Sequence, residues 1–377
     1  MSKKEKNKIT RNSDLAGDVL SAINNQFKDI PSAMSYLSDA NLINNWGKTG
    51  CKSLDLIISN RKNAGIGYGV ICEIFGLPGS SKSLLSAHIM AECQKDGGLA
   101  VIYDTEKAIG MLDFYTSIGL DPSKVLYTDS LRALEDIFES VELIVSNTIK
   151  NNSDKKIVIV IDSLMGATTR LEQDAKFDKE GYATAKAIVL SKAMRKLPDL
   201  IKGRNILIIC TNQLRENVGA IGFGVEKYKT SGGLAPAFSA SVRIKLSVVK
   251  KIKNKLDGVD VEVGNIVEAK IVKNRLGPPG KSIKYLVYYD SGIDDDMSFL
   301  LTLKDYGVVN TSGSYNVFEY VDENAELITV KFLTSDFKKL LTNKPILRDI
   351  LYESLSEKVI SPYHPGGESG NEIYDNE

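Results

Sequence analysis

A chain of 377 residues can bury a large hydrophobic core without disulfides, in one domain or two. Lysine plus arginine equals aspartate plus glutamate at 48 each, so the overall charge does not indicate a nucleic-acid-binding protein, and any DNA site must come from local charge and backbone amides. Only two histidines and four widely spaced cysteines are present, which argues against a zinc site or a histidine-based catalytic dyad.

The first 45 residues combine a lysine-rich start with apolar residues at helical spacing, among them Leu15, Val19, Ile23 and Phe27. This pattern predicts an amphipathic helix, which either covers part of the core or packs on a neighbouring subunit. No apolar run reaches the roughly 18 residues of a membrane span, and no apolar stretch typical of a secretion signal follows the basic N-terminus. We therefore expect a cytoplasmic protein without a membrane partner.

The stretch from residue 69 to 83, GVICEIFGLPGSSKS, predicts a strand, a glycine-rich loop and a helix in that order. This order directs backbone N–H groups and the positive end of a helix dipole at one phosphate. The spacing fits G-x-x-x-x-G-K-[ST], in which Lys82 reaches the β- and γ-phosphates and the Ser83 hydroxyl holds Mg²⁺. Ser81 replaces the second glycine, and a polar turn that caps a helix is the alternative interpretation. The predicted nucleotide-binding residues are Gly76, Leu77, Pro78, Gly79, Ser80, Ser81, Lys82 and Ser83.

Carboxylates follow two later apolar runs. Residues 99–103 lead into Asp104 and Glu106, and the unbroken β-branched run 157–161 leads into Asp162. The carboxyl ends of strands in an open α/β sheet line the crevice where ligands bind. Glu106 is placed to orient an attacking water, and Asp162 is placed to hold Mg²⁺. Asp104 is placed to contact the metal shell or to order its own loop. For each acid, the alternative is a surface charge without a role in the site. Together with the phosphate loop, these acids predict a site for a nucleoside triphosphate and Mg²⁺.

The following elements alternate between polar loops and buried runs. Residues 166–182 predict a loop, 183–201 a long helix, and 205–211 a buried strand that ends before Gln213. A glutamine at a strand end, followed by the glycine-rich segment 214–233, is placed to sense the γ-phosphate and to signal its presence to whatever that loop binds.

The C-terminal part of the chain is richer in strands, predicted at 241–248, 267–273 and 284–289. Mixed helical and irregular sequence follows from residue 299. The tail from residue 366 carries acids without compensating bases and is predicted to be disordered.

Seven motifs occur in a fixed order between residues 45 and 292. They are EIFGLPGSSKS at 73–83, YDTE at 103–106, YTSIGLD at 115–121, SKAMRKL at 191–197, TNQLR at 211–215, SGGLAPAFSASVR at 231–243 and VKNR at 272–275. In this order they resemble the RecA family of homologous-recombination ATPases.

The resemblance implies a role for each matching position. ATP and Mg²⁺ would bind at Lys82, Ser83 and Asp162, with Tyr115 stacked on the adenine. Catalysis would involve Glu106 as the base that activates water, Gln213 as the γ-phosphate sensor, and Lys273 and Arg275 as basic residues that reach the ATP of a neighbouring subunit. Segments 166–182 and 214–233 would be the first and second DNA loops. The implied DNA-binding residues are Arg195, Arg215, Phe223, Gly232 and Gly233.

The expected architecture is α/β, with a RecA-like phosphate-loop ATPase core and a mostly parallel central sheet at 46–295. An N-terminal helical polymerisation segment occupies 1–45, a small C-terminal region 296–365, and an acidic disordered tail 366–377.

The expected function is that of a DNA-dependent ATPase recombinase in the cytoplasm of a bacterium or a phage-infected host. It would polymerise as a helical filament on single-stranded DNA and promote homologous pairing and strand exchange with double-stranded DNA. A single-strand-binding protein and a loading mediator are further expected partners. Ser81 and the divergent sequence after residue 310 favour a phage recombinase of the UvsX type.

Three alternatives stay open from the sequence alone. A hexameric RecA-fold helicase would use the same sheet and an intersubunit ATP, and a scaffold that binds ATP and DNA but scarcely hydrolyses is suggested by Ser81. A small-molecule kinase does not account for the Gly232 and Gly233 loop or for the basic pair at 273 and 275.

Overall fold

The computed structural model describes residues 3–30, 33–37, 43–110, 112–175, 182–216, 228–230, 235–256 and 258–361. The predicted acidic tail at 366–377 therefore lies outside the described residues. The chain forms two compact units, one of residues 1–42 and one of residues 43–377.

The first unit contains helix α1, Lys3–Gln26. The side-chain amide of Asn24 binds the backbone of Met34 twice, with its Nδ2 donating to the carbonyl oxygen and its Oδ1 accepting the N–H, both at 2.9 Å. Several apolar side chains of this unit are exposed, including Leu15, Val19 and Phe27. The predicted helix is present, and its apolar side chains are available for contacts.

The second unit contains the remaining helices and all the described strands. Its strands are β1 Trp46–Gly47, β2 Ile66–Gly67, β3 Ile71–Gly76, β4 Leu99–Asp104, β5 Val125–Thr128, β6 Ile157–Asp162, β7 Ile206–Glu216, β8 Tyr228–Thr230, β9 Val242–Leu256, β10 Val259–Asn274, β11 Ser282–Tyr288, β12 Gly292–Asp294, β13 Asn310–Ser312, β14 Tyr315–Val321 and β15 Leu327–Phe332. Its helices are α2 Lys52–Ser59, α3 Lys82–Lys95, α4 Leu112–Ser117, α5 Leu134–Lys150, α6 Arg170–Gln173, α7 Tyr182–Ile201, α8 Ala235–Ser239, α9 Asp295–Asp305, α10 Phe337–Asn343 and α11 Pro345–Val359.

A sheet of ten strands organises this unit. Its order is β12-β11-β10-β9-β3-β7-β6-β4-β5, and β8 pairs with the end of β7. The strands from β9 to β5 run parallel, whereas β10, β11 and β12 add in antiparallel fashion at one edge. The carboxyl ends of β3, β4, β6 and β7 therefore meet at one edge of the sheet.

The central strands are buried on both faces. In β6 and β7, neighbouring residues contribute to opposite hydrophobic clusters: Val158 and Ile209 pack on one side, and Ile159 and Ile208 on the other. Helices α5 and α7 cover one face, and α2, α3, α9 and α11 contribute to the core on the other. This double burial explains the unbroken β-branched sequence of β6.

The predicted α/β architecture with a mostly parallel central sheet is confirmed. The region after residue 295 adds α9, a three-stranded sheet of β13, β14 and β15, and helices α10 and α11. Phe337 and Leu355 from this region share a hydrophobic cluster with Ile74 of β3. None of the described helices combines the length and the apolar composition needed to cross a membrane.

Several strands differ from the sequence-based prediction. Strand β7 continues to Glu216, so Gln213 lies inside a strand and not after its end. The region after residue 299, predicted as mixed helical and irregular sequence, contains the small sheet of β13, β14 and β15. Strands β9 and β10 are about twice as long as predicted and form one hairpin whose outer half is mostly exposed. The sequence carries a signal that the prediction did not use, because Val259, Val261 and Val263 alternate with acids and follow an Asp-Gly pair at 257–258, which is typical of a hairpin.

His88 of α3 is a buried titratable group of this fold. Its Nε2 accepts a hydrogen bond from the backbone N–H of Ile293 at 3.0 Å. Burial, followed by the positive charge of Lys95, lowers the pKa of His88 to about 4. Only the neutral imidazole has a lone pair for this bond, so the native state takes up the proton at a lower pH than the unfolded chain.

We expect the stabilising contribution of His88 to be complete above about pH 6.5 and to decline as the pH falls toward 4, by about 3 kcal/mol in total. Urea unfolding of the wild type and of His88→Gln across this range measures the effect, because glutamine offers an acceptor but does not titrate. Burial raises the pKa of Asp55 to about 8, so its contribution to stability changes with pH in the opposite sense. This contribution is the same in both proteins and cancels when their free energies of unfolding are subtracted. A difference between the two proteins that does not change with pH contradicts the prediction.

Candidate functional site

The phosphate loop, residues 76–83, leaves the carboxyl end of β3 and enters α3. A Cβ atom at Gly76 would lie 2.4 Å from the carbonyl oxygen of Leu246 and 2.5 Å from Oγ of Ser80, so only glycine fits there. Gly79 has a φ of +72°, in the left-handed region. Ser81 has a φ of 69° and is also left-handed. The serine therefore adopts the backbone conformation that glycine favours at this position of the motif.

The inside of this loop presents hydrogen-bond donors. Lys82 is only 8% exposed, and its Nζ donates to the carbonyl oxygens of Leu77 at 3.0 Å and Gly76 at 3.4 Å. Burial lowers the pKa of Lys82, while the negative charges of Asp162 and Glu106 raise it. Among the described residues, Oγ of Ser80 is buried and has no hydrogen-bond partner. A buried hydroxyl without a hydrogen-bond partner is costly, and this one lies against Gly76, where a Cβ atom would be 2.5 Å from it.

Asp162 lies at the carboxyl end of β6, beside the start of α3. Burial raises its pKa, and hydrogen bonds from Ser83 and Thr211 lower it. The Thr211 hydroxyl donates to Oδ1 of Asp162 at 2.5 Å. The predicted pair Ser83 and Asp162 is thus brought together, and hydroxyl and carboxylate oxygens are the ligands that Mg²⁺ prefers.

Glu106 and Gln213 are also in direct contact. Nε2 of Gln213 donates to Oε1 of Glu106 at 3.0 Å, and the hydroxyl of Ser163 donates to the same oxygen. Gln213 is opposite Gly76 in the pairing of β7 with β3. The predicted base, the predicted sensor and the first residue of the phosphate loop therefore lie at one edge of the sheet.

Asp104 and Tyr115 flank this cluster. The carboxylate of Asp104 accepts the backbone N–H groups of Ala108 at 3.1 Å and Ile109 at 3.0 Å, so it orders the loop that follows Glu106. The half-buried ring of Tyr115 lies edge to face with Phe114. Burial, and then the charges of Asp162 and Asp104, raise the pKa of Tyr115 to about 12, which keeps the phenol neutral near the site.

Lys273 and Arg275 lie away from this cluster. Lys273 of β10 pairs with Arg243 of β9, which pairs with Glu73 in the middle of β3. Nζ of Lys273 donates to the carbonyl oxygens of residues 237 and 238 at the end of α8, at 2.9 and 2.6 Å, and Nη2 of Arg275 donates to the latter at 3.2 Å. The spacing of strands and residues puts the Cα atoms of Lys273 and Gly76 about 14 Å apart.

The predicted DNA-binding residues are only partly described. Arg195 is exposed on α7, where its Nε donates to the carbonyl oxygen of Ser191 at 3.2 Å, and Arg215 is exposed on β7. Phe223, Gly232 and Gly233 lie outside the described residues. Within the predicted first DNA loop, Thr169 and Glu172 form a reciprocal cap at the start of the short helix α6.

Sequence reasoning missed Ser163 and Thr211 as members of the site. Ser163 binds Glu106 and also accepts the backbone N–H of Gly166 at 3.1 Å, which connects the predicted base to the start of the first DNA loop. Both residues are polar groups at the ends of apolar runs, directly after Asp162 and directly before Asn212. That position is the signal that would have identified them.

Comparison with known proteins identifies the family. Residues 17–294 match the family described as the RecA N-terminal domain, which is most of the chain and includes every described site residue. The chain belongs to the RecA family. Protein RecA of Campylobacter jejuni subsp. jejuni (strain 81-176) is 31% identical over 279 residues, or 73% of this chain and 75% of the relative.

Two further RecA proteins show the same extent of similarity. That of a Nitratiruptor species is 32% identical over 278 residues, which cover 73% of this chain and 74% of the relative. That of Bartonella quintana (strain Toulouse) is 32% identical over 294 residues, which cover 74% of this chain and 80% of the relative. The RecA family is thus established, while the phage UvsX-type branch stays a prediction.

Ser81 is a departure from the phosphate-loop pattern with a measurable consequence. A non-glycine residue in the left-handed region is strained by about 1–2 kcal/mol. Glycine removes this strain but adds about 0.4–1 kcal/mol of entropy to the unfolded chain. We therefore expect Ser81→Gly to raise the free energy of unfolding by about 0.5 kcal/mol, as measured by urea denaturation.

Ser81→Ala is the matched control, because alanine removes the hydroxyl and keeps the strained φ. We expect no gain in stability from this variant. An equal gain in both variants would mean that the hydroxyl, and not the backbone, is responsible.

Proposed function

We propose that this RecA-family chain is a DNA-dependent ATPase and recombinase. Its subunits polymerise as a helical filament on single-stranded DNA and promote homologous pairing and strand exchange with double-stranded DNA. The observation that carries the proposal is the convergence of Lys82, Asp162, Glu106 and Gln213 at the carboxyl ends of four parallel strands. Family membership supports the same activity.

The phosphates of ATP bind in the loop of residues 76–83. The N-terminus of α3 supplies donors, and the Lys82 ammonium exchanges its carbonyl partners for phosphate oxygens. The added negative charge stabilises the protonated form of Lys82 and offsets its burial. The half-buried ring of Tyr115 offers its exposed portion to the adenine.

Ser83 and Asp162 fit a magnesium site and would hold Mg²⁺ between them and the nucleotide. The ion supplies charge neutralisation at the transferring phosphate. The hydroxyl of Thr211 keeps the Asp162 carboxylate oriented, and burial of Asp162 favours its pairing with a cation.

Glu106 is the base that accepts a proton from the attacking water. In the described structure its Oε1 binds the amide of Gln213. The γ-phosphate competes for this same amide, because its oxygens are strong acceptors. When Gln213 turns to the phosphate, Glu106 gains a free lone pair for the water, so nucleotide occupancy and activation of the base are linked.

Lys273 and Arg275 act on the nucleotide of the next subunit. Lys273 is level with Glu73 in the middle of β3, and the distance of about 14 Å between its Cα atom and that of Gly76 exceeds the length of a lysine side chain. A head-to-tail contact between identical chains brings two different surfaces together, and such a contact generates a helical filament when the rotation does not close. The exposed apolar side chains of residues 15–37 are the polymerisation surface in this proposal.

DNA binding in this proposal uses Arg195, Arg215 and the loops that contain Phe223, Gly232 and Gly233. Contacts to the phosphate backbone give an affinity that depends on salt and tolerates any sequence, as pairing within the filament requires. A single-strand-binding protein, a loading mediator and the cytoplasmic location stay predictions.

The first test measures ATP hydrolysis with and without single-stranded DNA, together with negative-stain images of the same samples. We expect DNA-stimulated turnover and helical filaments from the wild type, and a loss of about 100-fold or more in Lys82→Ala and Glu106→Gln. Asp305→Asn removes a partly exposed carboxylate of α9 that binds Lys284, and serves as the control with unchanged turnover. Closed rings would indicate a helicase, and DNA-bound protein without turnover would indicate a scaffold.

The second test asks whether Lys273 acts between subunits. Lys82→Ala removes the lysine with which a subunit binds its own phosphates. Lys273→Ala removes the lysine that a subunit extends to the nucleotide of the next subunit. We expect each variant alone to lose DNA-stimulated hydrolysis and an equal mixture to regain it at about a quarter of the interfaces, where an intact loop meets an intact Lys273. A mixture as inactive as its components, or full activity of Lys273→Ala alone, contradicts the shared site.

A further inference from the structure

A carboxylate that the nucleotide site does not use is buried in the middle of β3. Glu73 is 1% exposed. Its Oε1 accepts a hydrogen bond from Nδ2 of Asn212 at 2.8 Å, and its Oε2 accepts one from Nε of Arg243 at 2.5 Å. A buried carboxylate depends on such partners, so Glu73 restrains both of them.

The Asn212 side of this group leads to the nucleotide site. Oδ1 of Asn212 accepts the backbone N–H of Gln213 at 2.9 Å. The side chain of Asn212 is therefore fixed by Glu73 at one end and holds the peptide unit of Gln213 at the other. Gln213 lies opposite Gly76 and binds Glu106, as described above.

The Arg243 side leads to the basic pair. The guanidinium of Arg243 stacks on the ring of Phe75, 4.6 Å from its centroid, and Arg243 is opposite Lys273 in the pairing of β9 with β10. Burial and the charges of Arg275 and Arg243 lower the pKa of Lys273. The charge on Arg243 thus acts directly on the lysine that we assign to the neighbouring subunit.

We propose that Glu73 is a positioning residue that couples γ-phosphate sensing by Gln213 to the presentation of Lys273 and Arg275 to the next subunit, an inference that rests on the proposed function. One oxygen of Glu73 binds Asn212 and the other binds Arg243. A change in the position of Asn212 therefore moves the carboxylate and alters its hydrogen bond with Arg243. By reciprocity, engagement of Lys273 by a neighbour's nucleotide changes the orientation of Gln213. ATP binding along a filament then becomes cooperative.

Glu73→Gln tests the coupling with little change of shape. The glutamine oxygen still accepts from Asn212, but its NH₂ group faces the guanidinium and the ion pair is lost. We expect ATP affinity without DNA to stay within about twofold, DNA-stimulated kcat to fall about tenfold, and the Hill coefficient for ATP to fall toward one. Loss of ATP affinity in parallel with thermal stability would show a structural role only and overturn the proposal.

Asp55→Asn is the control for replacing a buried acidic side chain by its amide. Asp55 is 6% exposed and binds Thr49, outside this network. We expect Asp55→Asn to change thermal stability while the Hill coefficient and DNA-stimulated kcat keep their wild-type values. A Hill coefficient reduced as much as in Glu73→Gln would attribute the effect to instability and overturn the proposal.

A double-mutant cycle with Lys273→Ala gives the sharpest result. The cycle is measured on the residual turnover of Lys273→Ala: if Glu73 acts through Lys273, the double variant keeps that residual kcat, whereas independent effects multiply. Multiplied losses overturn the proposal. Should Glu73→Gln fail to fold, Arg243→Lys replaces it, because lysine keeps the charge but loses the Nε bond and the ring stacking; the same kinetic pattern is expected.

Failure of this inference is distinguishable from failure of the proposed function. A wild type without DNA-stimulated hydrolysis overturns the recombinase function and this inference together. Wild-type stimulation with unchanged cooperativity in Glu73→Gln overturns the coupling alone.

Discussion

A buried ammonium group faces two carboxylates where the central strands end, and the rest of the site depends on this balance of charge. Burial lowers the pKa of Lys82 and raises that of Asp162, so each group is held in surroundings that disfavour its charge. A phosphate beside the lysine and a cation beside the aspartate relieve both at once. The desolvation of these groups takes place during folding, so little of it remains to oppose ligand binding.

The sequence predicted the parts of this site that have local signals. An unbroken β-branched run requires burial on both faces, and it located β6 and hence Asp162. Glycine at position 76 and a lysine six residues later located the phosphate loop, and the structure shows that no Cβ fits at Gly76. Ser81 departs from the motif in its side chain, yet its backbone has a left-handed φ, the conformation that glycine adopts without strain.

What the sequence did not predict depends on partners that are distant along the chain. Glu73 reads as a polar interruption of an apolar strand, and its partners Asn212 and Arg243 lie 139 and 170 residues away. No local pattern reports such a pairing, because it arises only when β3 lies between β7 and β9. The contact of Gln213 with Glu106 also joins residues that are distant along the chain. In addition, the predicted strand ended before Gln213, so this side chain was not assigned to β7.

The contacts of Gln213 separate its backbone from its side chain. Its N–H is held by Asn212, which Glu73 holds in turn, whereas its side-chain amide binds only the exposed carboxylate of Glu106 among the described residues. A ligand that competes for the amide therefore turns the side chain first, and the pull on the peptide unit of Gln213 reaches Asn212 through its hydrogen bond. Because a rotation of this kind strains Asn212 and Glu73 only through the peptide unit, the buried network transmits a small displacement with little loss of packing.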